Sequence, residues 1–407
     1  MIMANNSNKN KCNVPHLRFP EFSGEWEKNN LSKFSSKITK KNKGNVIQNV
    51  LCNSANLGII PQNDYFDRDI ANADNTDSYY IIEQGDFVYN PRKSTAAPYG
   101  PVNIYNGEKP GIISPLYLCF SVLNISPSFL FYRFKSSVWH PYVYSHGDTG
   151  VRFDRVSIKD DVFFDMPIYT PTQNEQEKIA TLLSLIDERI ATQNKIIEDL
   201  KKLKSAIIEK IFNEPHSNKI RLGDIGSYIR GLTYSNDDVV EQDGVFVMRS
   251  NNIINGSSLD YQHNIVSVNK QILTEQQLQD GDIIICMANG SSSLVGKSSF
   301  YDGNCSIPIT VGAFCGIYRS KEPIVKWLFQ TSKYRRYIGN SLQGGNGAIA
   351  NLNGDDILRM SFSIPDAPAK DNGVKLLTSL DTLLESNLLL YGLYTKQKKY
   401  LLRQMFI

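Results

Sequence analysis

Two long segments of this sequence align with each other without a gap at a shift of about 195 residues: LLSLIDERIATQNKIIEDLKKLKSAIIEKIF from Leu182 and LLTSLDTLLESNLLLYGLYTKQKKYLLRQMF from Leu376. A repeat on this scale dictates the architecture, because each copy has to form the same unit. Stepping alternately by four and three residues through the first copy visits Ile179, Leu183, Ile186, Ile190, Gln193, Ile197, Leu200, Lys204, Ile207 and Ile211, apolar at eight of ten places. That is the seam of a helix packing along its length on another helix. The second copy gives Leu377, Leu380, Leu384, Asn387, Tyr391, Tyr394, Lys398, Leu401 and Met405. The polar breaks coincide too, Gln193 on Asn387 and Lys204 on Lys398. A single apolar stripe usually marks only a face against a core. Two matched stripes, each roughly 50 Å long at 1.5 Å per residue, exceed what one globular core covers. The helices are therefore expected to pack on each other. A whole domain lies between them, so an antiparallel pair with two-fold pseudo-symmetry is the simplest arrangement. The polar seam residues would fix its register at some cost in stability.

The regions ahead of the helices repeat more loosely. LSKFSS at Leu31 matches LGDIGS at Leu222, Gly85-Asp86-Phe87 matches Gly281-Asp282-Ile283, and SHGDTG at Ser145 matches SLQGGNG at Ser341. Runs such as YIIEQGDFVYN, GDIIICMAN and FCGIYRS are rich in β-branched and aromatic residues and broken by Gly, Pro, Asn and Ser, the pattern of short twisted strands joined by loops. The expected fold class is α+β: two tandemly duplicated mixed domains and two long helices in an antiparallel coiled coil. The boundaries read as residues 1–172 for the first domain with an N-terminal extension over 1–27, 173–213 for the first helix, 214–370 for the second domain and 371–407 for the second helix. Pro167 and Pro171, then Pro365 and Pro368, mark the junctions into the helices.

Composition narrows the function classes. With 407 residues, 41% apolar and 21% charged, the chain can bury two or three cores. The N-terminus lacks an apolar leader and no stretch approaches the roughly 20 apolar residues of a membrane helix, so a cytoplasmic location and no membrane partner are expected. Six scattered cysteines (Cys12, Cys52, Cys119, Cys286, Cys305, Cys315) contain no CxxC pair, which argues for reduced thiols over a disulfide framework or a zinc site. The histidines His16, His140, His146, His216 and His263 show no ligand spacing except His140 with His146, in a Trp- and Tyr-rich stretch where packing or a ligand-facing role is the simpler reading. The net charge is only +3, but Leu31 to Lys43 holds five lysines and no acid, and Tyr318 to Tyr337 holds six Lys or Arg against Glu322 alone. Such patches suit a phosphate backbone, although any one charge run is more often a solvated face.

Enzymatic constellations are missing. NGSSSLVGKS from Asn289 is one residue too long between Gly290 and Gly296 for a P-loop. It reads either as a loop placing Lys297 near phosphates or as a plain surface turn. NPRK at Asn90 is not the [ND]PP[FY] sequence of adenine methylation, and no Glu-x-Lys nuclease signature occurs.

Several segments together resemble one family. They are NVPHLRFPEFSGEW at Asn13, GDFVYNPR at Gly85, SPLY at Ser114, GDTGVRFDRVSIKDDVFFDMPIYTP at Gly147 and NEQEKIATLLSLIDERI at Asn174, with LGDIG, FVMRSNNI, GDIII and NLNGDDI in the second half. The chain is similar over nearly its whole length to the specificity subunits of type I restriction-modification systems. It departs at AKDNGVKLL, where the family's Glu-Gln pair before the helix is missing. The resemblance implies two target-recognition domains, each binding half of an interrupted site in double-stranded DNA, held apart by the paired helices. It implies association with two methyltransferase subunits and then restriction-translocase subunits. S-adenosylmethionine, ATP and Mg²⁺ would be bound by those partners and no cofactor by this chain. Two similar domains on such a spacer could present equivalent surfaces about one helical turn of DNA apart.

Arg, Asn and Gln on loops are the side chains that pair bidentately with base edges, and Lys and Arg hold phosphates. The DNA-facing candidates in the first domain are Arg92, Lys93, Tyr99, Arg152 and Arg155. In the second they are Arg230, Arg249, Asn251, Asn252, Lys297, Lys333, Arg335, Arg336 and Gln343. Arg249 and Asn251 are read as base contacts, and Lys333, Arg335 and Arg336 as phosphate contacts. The rival reading is a non-catalytic assembly protein whose helices bind partners and whose flanking domains bind protein or RNA.

Overall fold

The computed structural model describes residues 13–65, 76–148, 154–213, 217–257, 259–342 and 350–407. Arg152, Gln343, Cys12, His216 and most of the glycine-rich turn after Ser341 lie outside the described residues. The chain divides into two units, one running to Asn194 and taking in Leu389–Ile407, the other Lys195–Leu388. Each long helix thus contributes one half to each unit.

In the first unit, β2 (Ser35–Lys37), β9 (Leu118–Val122), β6 (Phe87–Tyr89) and β7 (Val102–Ile104) form an antiparallel sheet in that order. A second sheet has the order β4 (Gly58–Pro61), β3 (Val50–Ser54), β8 (Gly111–Ile113), β5 (Tyr80–Ile82), with β3 and β8 parallel. β1 (Glu27–Asn30) pairs with β10 (Pro167–Thr170). Strand β6 is apolar throughout because both of its faces are covered. Phe87 and Tyr89 point into a core shared with α1 (Pro127–Lys135), α2 (His140–His146) and α3 (Asp160–Phe164), while Val88 points into the smaller core of the second sheet. Aromatic rings fill the larger core: Phe87 stacks on Phe120 at 5.3 Å, and Tyr89 on Phe163 at 4.7 Å.

The described part of the expected N-terminal extension, from residue 13, packs against the first domain. Leu17 and Trp26 are buried in the core, the Leu17 N–H donates to the Gln404 carbonyl, and the Arg18 guanidinium makes two 2.7 Å bonds to the wholly buried Glu175. That bidentate pair gives the Glu-Gln sequence its purpose, since the neighbouring Gln176 bonds the Ser126 N–H and the Pro171 carbonyl. The corresponding junction in the second unit has Lys370, which pairs with Glu322 at 2.8 Å.

The second unit repeats the first. β12 (Gly226–Arg230), β20 (Cys315–Ser320), β16 (Ile283–Cys286) and β18 (Ser298–Phe300) reproduce the antiparallel sheet in the same order. The other sheet runs β13 (Val239–Val240), β15 (Val266–Val268), β14 (Val245–Met248), β19 (Ile309–Val311), again with one parallel pair, β14 with β19. Its fourth strand differs, lying beside β15 instead of beside the parallel strand. β11 (Ser217–Arg221) pairs with β22 (Ser361–Pro365), and β17 (Ala288–Asn289) with β21 (Ala350–Asn351). Short helices α5 (Leu222–Ile225), α6 (Val325–Leu328), α7 (Ser332–Ser341) and α8 (Gly354–Leu358) complete the unit.

The long helices are α4 (Gln173–Phe212) and α9 (Ala367–Gln404). α9 starts at Ala367, ahead of the expected residue 371, because Pro368 near a helix start needs no N–H partner. Every seam position named above is buried or half-buried. Within the first unit, Asp187 of α4 meets Lys398 of α9 at 2.5 Å, and the Arg189 guanidinium lies 5.3 Å from the Tyr394 ring centre. Within the second, Lys204 of α4 meets Asp381 of α9 at 2.6 Å. The early part of α4 therefore meets the late part of α9, and the late part meets the early part, so the helices run antiparallel. The two ion pairs are copies of one another: Asp187 and Asp381 occupy equivalent places in the aligned repeats, as do Lys398 and Lys204.

Candidate nucleic-acid interface

Loops at strand ends are free to vary on a rigid scaffold. In the second unit the loops after β12, β14, β17 and β19 surround a cavity of about 400 Å³. Arg249 stands exposed on its edge, where its Nη2 donates to the Asn264 carbonyl at 3.3 Å. Asn251 is exposed beside it. Lys297, half-buried, donates to the Ser250 carbonyl at 3.4 Å, and Asn289 donates to the Ser250 hydroxyl at 3.3 Å. Arg249, Asn251 and Lys297 are thus gathered around Ser250. Lys297 braces a loop here, and the phosphate-loop look-alike folds as an ordinary turn closed by Gly296 at φ +79°.

Asn252 is a correction. It is wholly buried, accepts from the Arg249 N–H and donates to the Asp260 and His263 carbonyls. With its amide saturated, it holds the turn that presents Arg249 and Asn251 instead of facing a ligand. Arg230 is exposed at the end of β12. Lys333, Arg335 and Arg336 lie apart from the cavity on α7: Lys333 sits 5.6 Å from the Phe362 ring, Arg335 donates to the Gln330 carbonyl, and Arg336 is exposed.

In the first unit a smaller cavity, about 140 Å³, is lined by Cys52 and Asn53 of β3 and by the segments after β6 and β8. Arg92 and Arg155 meet there in an isolated backbone bridge. Arg92 is exposed, 3.9 Å from Asp154, whereas the Arg155 Nε is buried without a hydrogen-bond partner among the described residues. The Lys93 N–H donates to the Asp154 carbonyl, which ties this edge together. Tyr99 packs inward, its ring 4.8 Å from His140 and its carbonyl accepting from the Tyr89 hydroxyl. His140 also contacts Trp139, and His146 stacks on Tyr142 at 4.1 Å, so both imidazoles pack on aromatic rings. Burial holds the His140 pKa below its usual value.

The sequence reading missed a polar core between the two sheets of the first unit. Asn53 donates to the Val88 carbonyl, Asn103 donates to the Asn53 amide oxygen, and Lys135 donates to the Asn103 amide oxygen at 2.5 Å. Burial, with repulsion from Lys398, pushes the Lys135 pKa down to about 8. Nothing in the sequence distinguished Lys135 from the surface lysines. Cys52, Cys119, Cys286, Cys305 and Cys315 are free thiols, and burial raises the Cys119 pKa to about 12. Among the described residues no cluster of His, Cys, Asp and Glu could hold a metal ion, and no helix is long and apolar enough to cross a membrane.

No family model matches the chain. It is 33% identical over 173 residues to the specificity subunit of the type I restriction enzyme EcoKI from Escherichia coli (strain K12), and 32% identical over 172 residues to that of StySPI from Salmonella potsdam. Each match covers 39% of this chain and 34% of the relative, so the chain spans about a third of the length of the curated relatives it matches. The S subunit of a type I restriction-modification system from M. genitalium superposes with a TM-score of 0.57 over 97% of this chain and 99% of that one, at 14% identity. A chain from a structure describing complex assembly and conformational transition of the type I R-M system gives 0.56 over 94% and 97%, at 12% identity. The chain thus has the fold of the M. genitalium S subunit along nearly its full length, and within the matched segment it is similar in sequence to two type I restriction enzyme specificity subunits.

Proposed function

We propose that this chain is the DNA-recognition subunit of a type I restriction-modification complex, a non-catalytic cytoplasmic protein that reads a bipartite target in double-stranded DNA. In this reading each domain binds one half-site, and the helix pair is both spacer and docking surface for two methyltransferase subunits and then restriction-translocase subunits. S-adenosylmethionine, ATP and Mg²⁺ reside on those partners. The observation that carries the reading is the repeated domain, with a cationic strand-end cavity recurring in each copy and each copy built onto the same antiparallel helix pair. A reader of two half-sites needs two similar surfaces on one spacer, which dimeric readers obtain from two chains. Exposed apolar positions on the helices, Ile196, Leu203 and Leu390 among them, suit a docking face.

The test is sequencing of methylated adenines in DNA from cells that express this chain with its neighbouring methyltransferase subunit. A bipartite methylated motif that vanishes without the chain is the expected result, and an unchanged methylome refutes the reading. Arg249 and Asn251 read bases and Lys333, Arg335 and Arg336 hold phosphates in this account. Arg249→Ala is then expected to weaken cognate DNA more than unrelated DNA. Affinity should fall steeply with salt, which the protein- or RNA-adaptor reading does not require for DNA.

A further inference from the structure

The two halves of the chain can be compared residue by residue, because their strand registers agree. Phe87 pairs with Phe120 where Ile283 pairs with Tyr318, and Leu51 lies beside Ile113 where Met248 lies beside Val311. Both registers give the same equivalences. Three turn positions keep their residue while the core positions exchange one apolar side chain for another. Gly85 and Gly281 sit at φ +93° and +85°, and Gly100 and Gly296 at +83° and +79°, where a side chain is strained. Asp86 and Asp282 each accept the N–H of the residue three places earlier, at 2.7 and 2.8 Å.

The cavities behave differently. Cys52 is equivalent to Arg249, Asn53 to Ser250 and Arg92 to Ala288. On the opposite wall Leu116 is equivalent to Phe314, and Tyr117 to Cys315. All five pairs line both cavities and all five differ. Leu116 and Phe314 are nonetheless alike in one respect: each is a large apolar side chain at a turn tip, and each is 64% exposed. Turn positions that keep glycine and aspartate, beside five shared lining positions that all differ in chemistry, place different chemistry at one location.

We infer that these two rims are the base-reading elements of their domains, Leu116 with Arg92 and Arg155 in one and Phe314 with Arg249 in the other, each engaging base pairs of one half-site. The inference rests on the DNA-recognition reading and assigns its specificity to named positions. The chemistry fits base edges in duplex DNA. A guanidinium matches the O6 and N7 acceptors of guanine, and a projecting apolar side chain meets a thymine methyl or wedges at a base step.

The experiment is the adenine methylome of cells carrying the full chain, unchanged or as Leu116→Ala or Phe314→Ala, with its methyltransferase partner. Both side chains are exposed, so the variants should fold, and thermal melting checks this. Each variant is expected to relax one base pair in one half of the motif only, a different half for each, and to raise the number of modified sites about fourfold. If a variant abolishes modification, Phe314→Leu and Leu116→Phe are read by the same criterion. A motif unchanged by every variant, or relaxed in the same half by both, overturns the inference while leaving the DNA-recognition reading intact. Absence of any bipartite motif with the unchanged chain overturns both.

Discussion

Asp381→Ala tests the reciprocal ion pairs most directly. In the second unit the Asp381 carboxylate holds Lys204 at 2.6 Å and Lys326 at 3.3 Å and accepts the Trp327 indole N–H at 3.1 Å. The Lys204 side chain is only 8% exposed and that of Asp381 11%. Removing the carboxylate leaves a buried ammonium with only the Gly256 carbonyl at 3.1 Å and a buried indole donor with no acceptor, a loss of about 3–5 kcal/mol. The equivalent Asp187 holds Lys398 at 2.5 Å and accepts from the Tyr132 hydroxyl, but these side chains are 34% and 25% exposed. Water reaches that pair, so Asp187→Ala should cost about 1 kcal/mol. For a unit of this size, 1 kcal/mol moves the Tm by about 2–4 °C, so Asp381→Ala should lower it by roughly 6–20 °C and Asp187→Ala by only a few degrees. Calorimetry of the full chain reads both. The double variant Asp381→Leu with Lys204→Met should recover part of the loss, because the Lys204 charge no longer stays buried, while the half-buried Lys326 and the Trp327 indole still lack the carboxylate. Equal costs at the two aspartates, or no recovery in the double variant, refute the argument.

Further outcomes follow from other contacts. Asn252→Ala should destabilise the second unit by about 1–3 kcal/mol in urea titration, since it empties a wholly buried site and strips partners from the Arg249 N–H and the Asp260 and His263 carbonyls. Gly100→Ala should prevent the first unit from folding, as judged by near-ultraviolet dichroism, because a Cβ there lies 2.1 Å from the Asn90 carbonyl oxygen at φ +83°. Lys135, after ¹³C-methylation, should titrate near pH 8 by NMR while exposed lysines titrate above pH 10. Its folded pKa lies below the unfolded value, so the unfolded chain binds more protons between the two. Stability from this group should therefore rise from pH 8 towards pH 10, and a fall in the urea midpoint over that window contradicts the assignment.

What the sequence determined by itself was whatever is written locally or covalently. The repeat and its shift, the helical seams with their matched polar breaks, and the strand-rich character of both domains follow from spacing along the chain, and the antiparallel pairing follows from duplication. The tertiary structure decided everything that depends on which distant residues meet. Asn251 and Asn252 are chemically identical neighbours, yet one turn exposes the first and buries the second. Leu17 and Arg18 look like part of a polar leader until the helix brings Glu175 against them. Lys135 reads as one lysine among many until two sheets and a helix remove its water. Leu116 and Phe314 look like ordinary strand residues, and only cross-strand pairing shows that they stand at the same place in the two halves, side chains outward. Periodicity reports the face a residue lies on, whereas burial and convergence are set by long-range packing that no local window contains.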